Sequence, residues 1–399
     1  METLFWIFAL FVALEQSWKY WAIDDFFRRA DQENRATDPA VSISIVQPIL
    51  SGDPTLWDCL SANLMMKTTY QIEFIWCIDD EDEQALIGCQ ALIAKHPEVS
   101  VRLLSLPPSP AEISPKTFKL MAGIEMAKGE VIVCLDDDTM LPDESLETSI
   151  PQLYQQNVGA VFGLPYYVNF SNIWSALVSC VVNGNSLLTY IPYTYVVEPF
   201  TINGMFFTIR RDIFENVNGF RGIEAEICDD YAIARRLRSY GYKLVQTSVC
   251  HGISTQVQDG NQYINLLNRW FIFPQASILQ AASLKELVSF YVLAFLPTLF
   301  PLFLLSYLIF NPSSLVALYG VGYLCLNALM LFRFNTVYLK SATPTSYYPL
   351  LAVMQVLLPF HILLSLVMPR KINWRGHVME IRDDGTFDLI QRRASGKEP

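Results

Sequence analysis

Charge is what this 399-residue sequence has least of: Asp, Glu, Lys and Arg together make up 17%, where an average soluble domain carries about 25%. The shortage is concentrated. Between residues 287 and 368 the only acidic or basic side chains are Arg333 and Lys340, which excludes a chain folded wholly in water. Eight cysteines contain no C-x-x-C and four histidines no H-E-x-x-H. A zinc site and a disulfide framework are thereby set aside, and the cysteines read as buried thiols of a reducing compartment. The N-terminus lacks a basic segment and a small-residue cleavage site, so it does not read as a signal peptide. Positive charge is in deficit overall, with a formal net charge of −11, which makes nucleic acid a poor partner. A phosphate-bearing substrate would be reached through a metal ion.

What is abundant is apolar surface, 52% hydrophobic and 13% aromatic residues, which excludes disorder. Three runs, 287–310, 315–332 and 349–368, each approach the roughly 20 residues that cross a bilayer core. Pro297, Pro301 and Pro359 lie inside two of them, which points to kinks or a re-entrant hairpin. Residues 4–23, interrupted by Glu15, end in Trp18, Tyr20 and Trp21 ahead of Arg28 and Arg29, the arrangement of an uncleaved anchor with an interfacial aromatic belt. The basic residues Arg28/Arg29 and Arg370, Lys371, Arg375 and Arg382 both favour the cytoplasmic side. A cytoplasmic middle and tail require an even number of C-terminal crossings, yet three runs are present. The expected organisation is a transmembrane anchor at 1–23, a cytoplasmic domain at 40–286, a transmembrane or re-entrant region at 287–368 and a cytoplasmic tail at 369–399.

Within 40–286, strand and helix patterns alternate. β-rich segments at 41–48, 72–78, 100–104 and 130–135 are separated by helical segments at 56–66, 84–94 and 116–128, the last closed by Gly129. This order predicts a parallel, doubly wound α/β sheet. Ligands bind such sheets beyond the carboxyl ends of the strands, and two acidic clusters fall there, residues 79–83 and 136–138.

Asp136 and Asp138, two apart at a strand end, suit one hard divalent cation, Mg²⁺ or Mn²⁺, shared with phosphate oxygens. An EF-hand starting at Asp136 would put Glu147 at position twelve, but Leu141 stands where Gly is required and a strand precedes the loop. A solvated acidic turn is the bland alternative. Asp229-Asp230 opens a helical stretch, either as a helix N-cap or as a general base whose adjacent carboxylate raises its pKa. Leu266-Leu267-Asn268-Arg269-Trp270 lies just ahead of the apolar runs. Arg269 suits bidentate contact with a diphosphate and Trp270 an acceptor pocket, while an interfacial Arg-Trp anchor is the plainer reading.

In this order the aspartate clusters and the Arg-Trp pair resemble the membrane glycosyltransferases of the family 2 superfamily, and most closely the ceramide glucosyltransferase family (family 21). QPILSGDPTLWDCLSANL resembles that family's opening segment and CIDDEDEQA its first aspartate motif, which places Asp80 and Asp82 as uridine-binding carboxylates. SPKTFKLMAGIEMAKGEVIVCLDDDTMLPDE resembles the segment holding Lys116 and the metal-binding Asp136 and Asp138. TINGMFFTIRRDIFENVNGF is similar to the acceptor-side segment around Gly204 and Met205. DDYAIARRLRSYGYK is similar to the stretch that makes Asp230 the catalytic base, with Asp229 beside it, and KINWRGHVMEI resembles the terminal W-R-G element. The resemblance covers roughly residues 40–385. It departs at Leu266, where the family's Arg-Trp motif opens with Gln or Arg, at Lys119 in place of Asn, at Asp229 in place of Glu, and in the extra carboxylate of Asp79.

The resemblance implies a nucleotide-diphospho-sugar transferase (GT-A-like) domain with transmembrane helices, acting with Mg²⁺ or Mn²⁺. The implied reaction is an inverting transfer of a hexose, glucose by analogy, from a UDP-sugar to a membrane lipid such as ceramide at the cytoplasmic surface. Asp230 would take the proton. Lys116, Gly204, Met205, Asp229, Arg269 and Trp270 would contact substrate. Residues 173–199 either receive that lipid or form a helix and strand of the core. A processive polysaccharide synthase would want more membrane helices and a Gln opening the Arg-Trp motif. A non-catalytic scaffold would have no need of the full set of carboxylates.

Overall fold

The computed structural model describes residues 2–32, 38, 40–278 and 281–393. The last six residues of the expected tail, and Met1 of the expected anchor, lie outside it. The domain elements run β1 (Ser42–Pro48), α2 (Leu56–Leu64), β2 (Gln71–Asp79), α3 (Glu83–Lys95), β3 (Val101–Leu106), α4 (Pro115–Met126), β4 (Val131–Leu135), β5 (Thr139–Met140), α5 (Ser145–Leu153), β6 (Val158–Tyr167), α6 (Ile173–Thr194), β7 (Phe206–Arg210), α7 (Arg211–Asn216), α8 (Asp229–Ser239), β8 (Lys243–Ile253) and α9 (Gly260–Phe273), behind an N-terminal helix α1 (Glu2–Gln32).

The strands form one eight-stranded sheet in the order β3-β2-β1-β4-β7-β6-β8-β5. Its first half is the parallel unit expected from the alternating pattern, with β1 parallel to both β2 and β4 and β2 parallel to β3. The expectation of an all-parallel sheet is corrected at β7, which runs antiparallel to β4 and to β6. The chain enters β7 at the edge where β4 ends, so that Leu135 faces Phe206. That reversal brings the Gly204-Met205 turn beside the acidic loop, and the Asp136 N–H donates to the Met205 carbonyl at 2.9 Å.

Local chemistry explains the element ends. Asp82 caps α3 by accepting from the Ala85 N–H at 3.0 Å, and Pro115 opens α4 behind Ser114. Helix α4 stops at Met126 with Ala127 as its cap, short of the expected Gly129. Gly129 instead lies against β1, where a Cβ would come within 2.4 Å of the Ser44 backbone nitrogen. Cores on the two sheet faces are built on Trp76, Phe74 and Phe206 on one side and on Phe162, Phe207 and Phe220 on the other. Seven cysteines are buried, as expected; Cys325 is exposed, on an apolar helix outside the domain.

Three helices are long and apolar enough to cross a membrane: α10 (Leu284–Phe310), α11 (Ser314–Val337) and α12 (Thr345–Ser365). They expose Leu305, Ile309, Phe310, Leu318, Val321 and Leu329, a surface that suits hydrocarbon. The proline-bearing α10 contains a π-helical segment at Tyr291–Phe295. Helix α1 carries Glu15, Lys19, Asp24 and Asp25 and is not among the three. It nonetheless packs Phe5, Ala9 and Val12 against Phe300, Leu304 and Val316, and Lys19 donates to the Leu293 carbonyl in the π-helical segment.

Beyond α12 the chain returns to the domain as a three-stranded sheet, β9 (Lys371–Trp374), β10 (His377–Ile381) and β11 (Phe387–Gln391). Its first hairpin touches the acidic loop through Arg375 and Asp137. Its second touches the segment ahead of α8, where the Ile227 N–H donates to the Gly385 carbonyl at 3.1 Å. The tail is therefore part of the domain surface, on the same side of the apolar helices as the large sheet. Three full crossings would put it on the other side, which is the parity conflict met in the sequence, now expressed as a contact.

Candidate active site

The carboxyl ends of β1, β2 and β4 open onto two cavities that share a wall. The larger, about 440 Å³, is lined by α6 residues Val181, Val182, Asn185, Ser186, Thr189 and Tyr190 and by residues 202–205, Asp229, Asp230, Trp270 and Phe273. The smaller, about 260 Å³, is lined by Asp53, Asp137, Asp138, Lys119, Leu266 and hairpin residues 374–377. Lys116, Asp136, Tyr167, Met205, Arg269 and Trp374 line both. One cavity is mainly apolar, the other is more polar and lined by four aspartates and four lysines or arginines, and they meet at Asp136.

Lys116 organises the junction. Its Nζ lies 2.8 Å from Asp136 Oδ1 and 3.5 Å from Asp229 Oδ2, and donates to the Gly204 carbonyl at 3.1 Å. These carboxylates push the ammonium pKa above its usual value despite burial. Asp136 also departs from an ordinary carboxylate. Burial, with Asp138 and Asp229 nearby, pushes it up to about 7 against the pull of Lys116. Asp138 is raised as well, by burial and Asp137, although Arg375 opposes the shift.

Asp230 sits in the wall of the larger cavity at the start of α8. Its Oδ1 accepts from the Tyr231 N–H at 2.7 Å and its Oδ2 from the Gly204 N–H at 3.2 Å. Burial and the neighbouring Asp229 raise its pKa to about 6, against the partial relief given by Lys116. The N-cap of α8 is Cys228, with no side-chain cap bond, so Asp230 lies inside the first turn and does not act as its N-cap.

The residues singled out in sequence are largely brought together. Lys116, Asp136, Gly204, Met205, Asp229, Asp230, Arg269 and Trp270 line the larger cavity, and Asp138 the smaller. Asp82 lines a small third cavity of about 60 Å³ with Asp79, His377 and Arg393. There it accepts from the Ser51 N–H at 2.9 Å and the Ser51 hydroxyl at 2.6 Å. Asp80 is exposed at the end of β2 and lines none of the three cavities. Its neighbour Asp79 faces inward and binds Lys119 at 2.8 Å. Lys119 also donates to the Ile49 carbonyl at 2.8 Å, a use for the residue that departs from the family pattern. Arg269 makes no ion pair or hydrogen bond among the described residues, and burial lowers its pKa.

Sequence reasoning missed Arg375, Trp374, Tyr167, Asp137 and Thr255 as site residues. Arg375 donates to Asp137 Oδ2 at 2.7 Å and lies 3.4 Å from Asp138 Oδ2, which also accepts from the Thr255 hydroxyl at 2.8 Å. Asp137 accepts a further bond from the Leu50 N–H at 2.9 Å. The signal for Arg375 was the W-R-G element itself, but its separation of 237 positions from Asp138 hid the contact.

The α/β domain with its acidic loop after β4 and the apolar helices behind it fit the GT-A-like domain with transmembrane helices that the sequence resemblance implies. The chain belongs to glycosyl transferase family 21, whose family model matches residues 1–387. Among curated proteins it is similar to ceramide glucosyltransferase 1 of Caenorhabditis elegans, 21% identical over 208 residues, 52% of this chain and 44% of that protein. It is also similar to the ceramide glucosyltransferase of Candida albicans, 24% identical over 139 residues, 31% of this chain and 26% of that protein. The chain thus spans less than half the length of the curated relatives it matches. Among solved structures, the mannosyltransferase PcManGT from Pyrobaculum calidifontis, in complex with GDP-Man and Mn²⁺, superposes with a TM-score of 0.49 at 14% identity, covering 90% of this chain and 99% of that one. GalNAc-T7 with UDP, GalNAc and Mn²⁺ superposes with a TM-score of 0.43 at 13% identity, over 60% of this chain and 51% of that one.

Proposed function

We propose that this chain is a membrane-bound inverting hexosyltransferase that moves a hexose, glucose by analogy with its relatives, from a UDP-sugar to a hydroxyl of a membrane lipid such as ceramide. The observation that carries this reading is the meeting of two unlike cavities at Asp136, Lys116 and Arg269, with a base-like carboxylate on the apolar side. The polar cavity takes the nucleotide diphosphate and the apolar one the lipid head. Helix α6, from the stretch 173–199 read in sequence as either a lipid-receiving surface or a core helix and strand, gives Val181, Val182 and Tyr190 to the apolar wall.

The chemistry follows from the residues. The acceptor hydroxyl enters beside Asp230 and attacks the anomeric carbon from the face opposite the diphosphate. A new C–O bond forms as the bond to the diphosphate breaks, and the hydroxyl proton passes to Asp230. The N–H groups of Gly204 and Tyr231 fix the orientation of that carboxylate. Its elevated pKa keeps it basic enough to take the proton yet ionised near neutral pH. Arg269, cationic and without a protein partner among the described residues, faces the diphosphate from the shared wall. Asp82 and its small cavity serve the uracil-ribose end.

A divalent cation fits the donor set. Asp136 and Asp138 offer only hard oxygen ligands, and burial, with neighbouring carboxylates, raises the proton affinity of both. No ready-made group of three ligating side chains exists among the described residues, so diphosphate oxygens and water would complete the shell. Mg²⁺ or Mn²⁺ held there would offset the charge that builds on the departing diphosphate. Arg28 and Arg29 at the domain end of α1 would place the domain on the cytoplasmic side of the bilayer.

Membranes carrying the protein, given labelled UDP-glucose or UDP-galactose, Mn²⁺ and a total lipid extract, should yield an organic-extractable glycolipid with β-linkage from the α-linked donor. An α-linked product would rule out inversion. A long, non-extractable polymer would replace the lipid reading with a polysaccharide synthase.

A further inference from the structure

Arg375 is held in an unusual way for an arginine. It and Gly376 form the two-residue turn between β9 and β10, closed by the pairing of Trp374 with His377. Both turn residues have positive φ, 47° and 90°. The second is a glycine. The first is a position where Asn, Asp or Gly is preferred, and a long side chain there is disfavoured unless something fixes it. What fixes it is the acidic loop. One guanidinium nitrogen bonds Asp137 at 2.7 Å and the other reaches Asp138 at 3.4 Å. The adjacent Trp374 lines both cavities. A second tail residue, Arg393, donates to the Ser51 carbonyl at 2.7 Å and fastens the strap over the same strand ends.

The two carboxylate contacts of Arg375 differ in strength. Asp137 is buried, accepts a second bond from the Leu50 N–H, and keeps its guanidinium partner close. Asp138 holds the other nitrogen at a length beyond a good hydrogen bond while bonded to Thr255. Among the cations of the polar cavity that are paired with aspartates, Lys116 is held at 2.8 Å by Asp136 and Lys119 at 2.8 Å by Asp79. Arg375, like Lys116 with its second carboxylate Asp229 at 3.5 Å, has a pairing that is half loose, and of the two it is the one carried by the tail.

We propose that Arg375 is a donor-binding residue: anchored on Asp137, it turns its second nitrogen from Asp138 to the diphosphate of the nucleotide when nucleotide and cation bind. The inference rests on the nucleotide-diphosphate reading given above. It makes the C-terminal hairpin, which arrives after the apolar helices, a working wall of the donor site. Arg375 neutralises the acidic loop before the nucleotide arrives, and exchanges part of that contact for a charge-assisted bond with the diphosphate.

The test is equilibrium binding to the full chain in detergent or nanodiscs, with Mn²⁺, using UDP and uridine as separate probes. Arg375→Ala should weaken UDP binding at least tenfold and leave uridine binding unchanged, and Arg375→Lys should fall between. Arg382→Ala, on the same tail but paired with exposed Asp388, should match wild type. UDP with Mn²⁺ should also slow tryptic cleavage of the tail in wild type and not in Arg375→Ala. Unchanged UDP affinity in Arg375→Ala overturns the inference and leaves the donor reading standing. Equal loss of UDP and uridine binding makes the residue a packing element, and also overturns it. Absence of UDP binding to wild type removes the donor reading and the inference together.

Discussion

Gly204 and Asp230 are in contact in the wall of the larger cavity: the Gly204 N–H donates to Asp230 Oδ2 at 3.2 Å, and a Cβ on Gly204 would lie 3.0 Å from that oxygen. The same Cβ would lie 3.0 Å from the Asp230 Cβ, so the side chain could not step aside without leaving its hydrogen bond. Gly204→Ala is therefore expected to displace the carboxylate. The turnover rate should fall by roughly tenfold to a hundredfold, within the range that a misplaced base costs, while UDP affinity changes little. Rates at saturating donor, set beside UDP binding by the same variant, check this. An equal loss in both would mean that the glycine serves the general fold.

The raised pKa of Asp230, about 6, fixes the direction of the pH profile. A base must be ionised, so kcat should rise as pH increases through about 6 and then level. Kinetics on reconstituted enzyme across the range from mildly acidic to mildly alkaline would show it. A rate that falls over this interval would give the titrating group an acid role.

The same shift has a stability consequence of opposite sense. The carboxyl is raised in the folded state above its ordinary value of 3.8. Its contribution is therefore fully present below that value and is lost as pH rises through about 6. Above that pH the ionised side chain works against the fold. Asp230→Asn should melt at a higher temperature than wild type at about pH 7.5, with the gap closing below about pH 4. Thermal unfolding at the two pH values measures it, and a variant less stable than wild type at the higher pH would contradict the burial argument.

The return of the tail to the domain predicts a labelling pattern. With the exposed Cys325 replaced by Ser, single cysteines at Glu98 on the domain and Asp384 on the tail should react with an impermeant maleimide from the same side of sealed vesicles. Labelling from opposite sides would require three full crossings and would break the contact between Arg375 and the acidic loop.

Much of this was legible in the sequence, for reasons that can be located. The run SISIV before a Gly-Asp-Pro turn, IEFIWCI, and VIVCL before three aspartates are strands whose ends announce the site, because period and turn chemistry act over a few residues. Lys116, Asp136, Asp138, Asp230, Arg269 and Trp270 came from those ends and from family resemblance, and the fold draws them into two adjoining cavities. The antiparallel β7 was not legible, since strand direction depends on where the chain re-enters the sheet after α6. Asp79 and Asp80 differ in sequence by one position, and only the pleat of β2 decides that Asp79 faces Lys119 while Asp80 faces solvent. The tail strands are only four or five residues long, and no local pattern shows that Arg375 crosses the whole chain to meet Asp137.

The most direct test of the account is Asp230→Asn, assayed twice on the same preparation: sugar transfer to lipid, and binding of UDP with Mn²⁺. The account predicts that transfer falls by about 10²–10⁴, the usual contribution of a general base, while UDP binds as it does to wild type. Transfer at the wild-type rate would remove Asp230 from the chemistry, and with it the assignment of the apolar cavity to the acceptor.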